Sequence, residues 1–124
     1  MKFLHTSDWH VGRTLNGWSL LEEQEWAFQQ IVDFAIREKV DGVIIAGDLY
    51  DRAVPPVDAI KLFNKTLARL VLEEQIPVYA ISGNHDGAER LHFGRDFFQH
   101  QSLHLSTRLE EAFEPIELEA CQIF

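Results

Sequence analysis

The chain has 124 residues, enough for one domain with a single core. At 46% hydrophobic and 25% charged it reads as a globular chain, which excludes the disordered and fibrous classes. A formal net charge of −9 argues against electrostatic wrapping of nucleic acid by the whole surface. That charge does not decide the matter. Glu110, Glu111, Glu114, Glu117 and Glu119 fall in one late stretch, and a carboxylate-rich metal site counts as negative until cations bind.

The opening MKFLHTSDWH carries no apolar signal region, and no run approaches the roughly 18 apolar residues of a membrane span. A lone cysteine, Cys121, has no internal disulfide partner, so a reducing compartment and a cytoplasmic location are expected.

In chain order, Lys2 to His5 predicts a short buried strand running into a loop. After the Gly- and Asn-containing stretch Gly12 to Gly17, Ser19 and Glu22 form an S-x-x-E pattern that predicts a capping box. Leu20, Ala27, Phe28, Ile31, Val32 and Ala35 then recur at helical spacing, predicting a helix over about 20–38. Val40 to Ala46 is a β-branched run that ends in Gly47-Asp48, as a central parallel strand would. Pro55-Pro56 precedes a predicted helix over about 57–72, with Ile60, Phe63, Leu67 and Leu70 on one face. Ile76 to Ser82 predicts a third strand, Ala88 to Gln99 a third helix, and Leu103 to Leu105 and Pro115 to Phe124 short strands.

The order β-α-β-α-β-α-β predicts an α/β fold with a mainly parallel sheet flanked by helices and right-handed crossovers. The strand-like ending IELEACQIF carries the expectation that residues 1–124 are the N-terminal portion of a longer domain.

Three short motifs each follow a predicted strand: Asp8-Trp9-His10, Gly47-Asp48 with Asp51, and Gly83-Asn84-His85-Asp86. In open α/β sheets the carboxyl ends of the strands share one edge, where ligand sites form. Asp8 and His10, at i and i+2, face the same way in an extended segment and can bind one cation together. Asp48 offers two oxygens that could bridge two metals, and Asn84 offers a neutral carbonyl oxygen. Such a mixed nitrogen and oxygen set suits manganese, iron or zinc better than calcium. Two cations about 3.5–4 Å apart can clamp a phosphate and activate water. His85 is placed to donate a proton or to stabilise phosphoryl charge.

Each motif alone is weak, since Asp48 reads equally as a cap and Asn84 as an Asx turn; the three in this order are strong together. Elsewhere the bland reading prevails. His5 is expected in the core or at its rim. His92, His100 and His104 form no cluster, and Trp18 and Trp26 are expected to pack. Arg13 and Arg52 directly follow the first two motifs and fit either phosphate contacts or surface salt bridges.

Together the motifs resemble the calcineurin-like metallophosphoesterases, whose signature runs D-x-H, G-D-x-x-D and G-N-H-D. The resemblance covers essentially the whole chain and implies the N-terminal part of that family's α/β sandwich. The longer contexts HTSDWHVGRTL, IIAGDLYDRAVPP and ISGNHDGAERL are similar to the SbcD-type branch of DNA exonuclease subunits.

That resemblance implies a manganese-dependent exonuclease and endonuclease acting on DNA, paired with an SbcC-type coiled-coil ATPase in a double-strand-break repair complex. It also implies that Asp8 and His10 bind one metal, Asp48 bridges, Asn84 binds the second and His85 assists catalysis. A homodimer through the helices about 57–72 and 88–99 follows on the same grounds. The family completes its site with three further histidines in G-H and G-H-x-H motifs, neither of which occurs here. The isolated chain is therefore expected to be inactive. Two alternatives stay open: another phosphoesterase, acting on phosphomonoesters or cyclic nucleotides, against which the Trp9-containing motif counts, and a non-catalytic dimerisation module.

Overall fold

The structure, a computed structural model, describes residues 1–124. The elements run β1 (Phe3–Ser7), β2 (Thr14–Leu15), β3 (Trp18–Ser19), α1 (Leu21–Glu38), β4 (Gly42–Ala46), α2 (Val57–Ala68) and β5 (Val78–Ile81). They continue with α3 (Ala88–His92), α4 (Arg95–Phe98), β6 (Leu103–Ser106), β7 (Ile116–Glu117) and β8 (Gln122–Ile123). A four-stranded sheet in the order β1-β4-β5-β6 forms the centre, and every pairing in it is parallel.

The register explains which side chains are buried. Thr6, Ile45, Ala80 and Leu105 lie side by side across the sheet, as do His5, Ile44, Tyr79 and His104. Alternation sends the first row to one face and the second to the other. Val43, Ile45, Val78 and Ala80 pack with Phe28, Val32 and Ala35 of α1 and Ala59, Leu62 and Phe63 of α2 in one core. Each crossover steps the sheet in the same direction, and right-handed connections then place both long helices on that face. The opposite face is more open, with Ile81 half exposed at 50%.

Several boundaries differ from the sequence expectation, each for a local reason. Ser19 forms no capping box: Leu20 is the N-cap without a side-chain bond, and the Ser19 hydroxyl accepts from the Leu21 amide instead. Asn16 and Gly17, both at positive φ, close a tight hairpin between β2 and β3, the geometry favoured by an Asn-Gly pair. Beyond Ala68, α2 widens into a π turn over Arg69–Glu73. The helix expected over 88–99 breaks at Phe93 and Gly94, where Gly94 turns left-handed, leaving α3 and α4.

The antiparallel pair β7-β8 stands apart from the main sheet. Trp18 and Trp26 do not pack; they are 78% and 65% exposed. Trp18 lies on the small hairpin, and Trp26 sits two residues from the buried Phe28, so the helix turn carries it to the far side. His5 is exposed rather than in the core.

His104 lies flat against Tyr79, ring centroids 5.0 Å apart and planes at 13°. Burial, with a smaller push from the Arg95 charge, lowers the His104 pKa below its ordinary 6.5. Burial acts to raise the pKa of Glu111, but amide bonds from Thr107 and Arg108 and the charges of Arg95 and His92 outweigh it, and the net shift is downward from 4.5. In both cases the unfolded chain takes up its proton at higher pH than the folded one, so stability rises with pH through each window. Thermal midpoints followed by circular dichroism are expected to fall as pH drops below 6.5, and again below 4.5. His104→Phe, which keeps the stack and removes the titration, should flatten the first decline and leave the second.

Candidate metal centre

Three loops leave the carboxyl ends of β1, β4 and β5 at one edge of the sheet. Parallel pairing between the first two does not stop at the strand ends. The Asp8 amide donates to Gly47 (3.1 Å), the His10 amide to Asp48 (2.9 Å) and the Val11 amide to Leu49 (3.0 Å). Asp51 then donates back to Val11, and an isolated bridge joins Val11 to Tyr50. The loops are thus held in register as firmly as strands, while their dihedrals are not those of strands.

Asp8, His10 and Asp48 all have left-handed backbone, with φ of 53°, 44° and 46°. The extended D-x-H geometry expected from the sequence is therefore replaced by two left-handed residues on either side of Trp9. Such conformations cost about 1–3 kcal/mol each and persist where surrounding contacts over-determine them. Here Trp9 is the anchor. It is 5% exposed, stacks on Phe28 at 4.5 Å and meets Phe63 edge-on at 6.0 Å, so both long helices grip the loop between the two polar residues. Its indole N–H donates to the Thr6 hydroxyl at 3.0 Å, so its buried polar atom is satisfied.

The strained turn makes the side chains converge. His10 Nε2 lies 3.8 Å from Asp8 Oδ1 and 3.6 Å from Asp48 Oδ2. Ligand atoms of the three residues all fall within 4.8 Å of one another. With metal–ligand bonds of about 2.0–2.2 Å, two donors on one cation sit about 3–4 Å apart, so these spacings fit a shared ion. Asp8 is exposed, His10 half-buried, and Asp48 buried at 8% exposure.

On its other side His10 meets a second group. Its Nδ1 lies 3.3 Å from Asp51 Oδ1, off the line of a hydrogen bond, and is a buried polar atom without a partner. His10, Asp51 and His85 form a second convergent set. A buried nitrogen among carboxylates, left unsatisfied by the protein itself, is what a bound cation or a proton would complete.

His85 stands edge-on to His10 at 4.9 Å and 87°, and its Nδ1 is 3.1 Å from the Asp51 carbonyl oxygen. A carbonyl only accepts, so Nδ1 carries the proton and Nε2 of exposed His85 points its chemistry elsewhere. Asn84, also exposed, occupies the same turn one residue earlier.

Two residues shape this turn more than their place in the motif suggested. The Asp86 carboxylate accepts from the amides of Leu49 (2.9 Å), Tyr50 (2.7 Å) and Gly83 (2.8 Å), stitching the third loop to the second. Gly83 sits so close to Asp48 that a Cβ there would fall on the Asp48 carboxylate and amide. The His85 amide donates to Asp48 Oδ1 at 2.9 Å, which orients that carboxylate. Tyr50 is not a proton carrier: burial, aided by the Asp86 charge, pushes its phenol up to about 12. Asp51 and Asp86 are acidic residues within the motifs, and only the folded geometry separates the one beside His10 from the one that binds amides.

Arg13 and Arg52 are exposed. The salt bridges of the chain's lysines and arginines use Arg37, Lys61, Lys65, Arg69, Arg95 and Arg108, so the expected alternative of ion pairs at these two positions is not realised. His92 instead serves a structural network, with its Nδ1 3.0 Å from the Thr107 hydroxyl and 3.7 Å from Glu111.

Comparison with known proteins agrees with this geometry. Residues 1–121 match the calcineurin-like phosphoesterase family. Across all 124 residues the chain is 45% identical to the SbcD component of the SbcCD nuclease of Staphylococcus epidermidis. It spans 33% of that protein's length.

Replacing Asp86 by Ala leaves three amides short of an acceptor, at about 1–3 kcal/mol for each that stays buried. Urea unfolding should show Asp86→Ala destabilised by about 3 kcal/mol or more, and Asp86→Asn, which keeps one oxygen, by distinctly less. Gly83→Ala should push Asp48 aside and weaken divalent-cation binding, read by calorimetry, by at least about tenfold. Unchanged affinity in that variant would mean Asp48 is not held by this close approach.

Proposed function

This chain belongs to the calcineurin-like phosphoesterase family, and we propose that it is the metal-binding portion of a DNA nuclease of the SbcD type. The observation that carries the reading is the convergence of Asp8, His10 and Asp48, with His85 bonded through its amide to the last of them. Asp8, His10 and Asp48 would hold one divalent cation, and Asp48 with Asn84 would serve a second; manganese would be the metal of choice. The cations supply charge stabilisation for the phosphate and an activated water.

The protein's own contribution is orientation. The Asp48 carboxylate is fixed by the His85 amide, and the Asp51 carboxylate, 3.3 Å from the unpartnered His10 Nδ1, is the group with which a proton on that nitrogen would pair, leaving Nε2 free to ligate. With its Nδ1–H committed to the Asp51 carbonyl, His85 in its imidazolium form has a second N–H, at Nε2, to donate to a phosphoryl or leaving oxygen. Arg13 and Arg52, unpaired cations just past the first two motifs, suit the DNA backbone despite the acidic total charge.

The remaining proposals rest on the similarity to the SbcD nuclease and on surface chemistry. The working assembly includes an SbcC-type coiled-coil ATPase and operates in the cytoplasm. No helix is long and apolar enough to cross a membrane. Residues 1–124 are the N-terminal portion of the nuclease domain, the three further histidines lie outside them, and the isolated chain is inactive. A homodimer forms through α2 and its π turn with α3 and α4. There Ile60, Leu72, Phe93 and Phe97 are exposed beside an apolar groove of about 440 Å³.

Calorimetric titration with manganese tests the centre. The chain should bind the ion, and Asp48→Asn should lose that binding; equal binding by both would remove the basis of the reading. In a longer protein that contains these residues, cleavage of linear duplex DNA should exceed that of a small phosphodiester. His85→Gln should lower kcat there by about 10²–10⁴-fold with cation affinity unchanged.

A further inference from the structure

Gln24 is an α1 side chain whose amide is spent entirely on the Asp8–His10 turn. Its Oε1 accepts from the Gly12 amide at 3.0 Å, and its Nε2 donates to the carbonyls of Trp9 at 3.1 Å and His10 at 2.9 Å. Trp9 and Gly12 are buried, so these backbone groups have little access to water. One residue thereby binds three backbone groups around a metal-ligating candidate and is the partner of two of them, the Gly12 amide and the Trp9 carbonyl; the His10 carbonyl also accepts from the Arg13 amide at 3.0 Å.

The amide orientation is dictated by its neighbours, since an N–H requires the oxygen and the two carbonyls require the NH₂. Only Gln or Asn carries both functions, and Asn is a methylene shorter. Glu would keep the Gly12 bond while setting a negative charge against two carbonyl oxygens. Leu or Met would leave the Gly12 amide and the Trp9 carbonyl unpaired, at about 1–3 kcal/mol for each one that remains buried, while the His10 carbonyl would keep only the Arg13 amide at 3.0 Å.

We propose that Gln24 is the positioning residue of the first cation site: it holds the left-handed backbone at His10, and through it the direction of the imidazole. The clasp explains how a strained segment stays put before any ion arrives. Trp9 pins the loop to the core, while Gln24 sets its backbone path. The proposal rests on the reading of Asp8, His10 and Asp48 as cation ligands.

Cobalt(II) titration of the 124-residue chain, followed by visible absorption, tests both levels separately. The chain should develop a ligand-field band that Asp48→Asn lacks. Gln24→Met should bind cobalt about tenfold or more weakly, the range typical of residues that orient ligands, and its band should shift in position or intensity. Amide exchange at Gly12, measured without metal, should quicken in the same variant. Val32→Ala, a core truncation on α1 that removes no hydrogen bond to the loop, serves as the control for lost stability alone.

If Gln24→Met matches the parent chain in affinity, band and Gly12 exchange, or changes only as much as Val32→Ala does, Gln24 is merely structural and the proposal fails. Should Gln24→Met not fold, Gln24→Glu is read by the same criteria. If the parent chain gives no band at all, the ligand reading fails first, and the role of Gln24 falls with it.

Discussion

Two carboxylates hold the functional edge together, and each is bound mostly by backbone. Asp86 gathers the amides of Gly83, Leu49 and Tyr50, and Asp48 takes the amide of His85. Neither arrangement forms unless the loops after β4 and β5 are side by side, which the parallel pairing of those strands ensures. Every other feature of the site depends on this mutual clamp: the convergence of donor atoms, the tautomer of His85, and the closeness of Gly83 to Asp48 that excludes any side chain there.

The clamp also reconciles strain with order. Left-handed residues at Asp8, His10 and Asp48 are unfavourable individually. They survive because the adjacent peptide groups are tied on several sides: to the neighbouring loop by backbone bonds, to the core by Trp9, and to α1 by Gln24. Stability stored in the sheet and helices is thus converted into a fixed set of donor positions. A site assembled this way can offer negative and neutral donors to a cation without moving, which lowers the ordering cost of binding.

The two faces of the sheet divide the remaining labour. One is sealed by α1 and α2 and supplies the core. The other carries Tyr79, His104 and half-exposed Ile81, and its titrating groups make stability sensitive to acid. Exposed apolar residues of α2, its π turn, Phe93 and α4 form a further surface at the sheet's flank, where the groove is also lined by Tyr50 of the loop after β4.

Much of this was written in the order of residues. The β-branched run from Val40 to Ala46, helical spacing from Leu20 to Ala35 and the alternation of strands and helices determine a parallel α/β sheet. The position of Asp8, His10, Asp48, Asn84 and His85 just past strand ends determines that they gather at one edge. These are local or pattern-level properties, so a linear reading reaches them.

Tertiary structure alone decided which acids converge on His10 and which are ties. Asp48, Asp51 and Asp86 look alike in sequence, yet one faces His10 Nε2, one faces His10 Nδ1 and one binds only amides. It also decided that Ser19 would not cap, that Trp18 and Trp26 would face outward, and that Gln24, fourteen residues from His10 along the chain, would share its hydrogen bonds. Hydrogen-bond partners and left-handed dihedrals depend on neighbours brought together from distant parts of the chain, and no period or propensity encodes them.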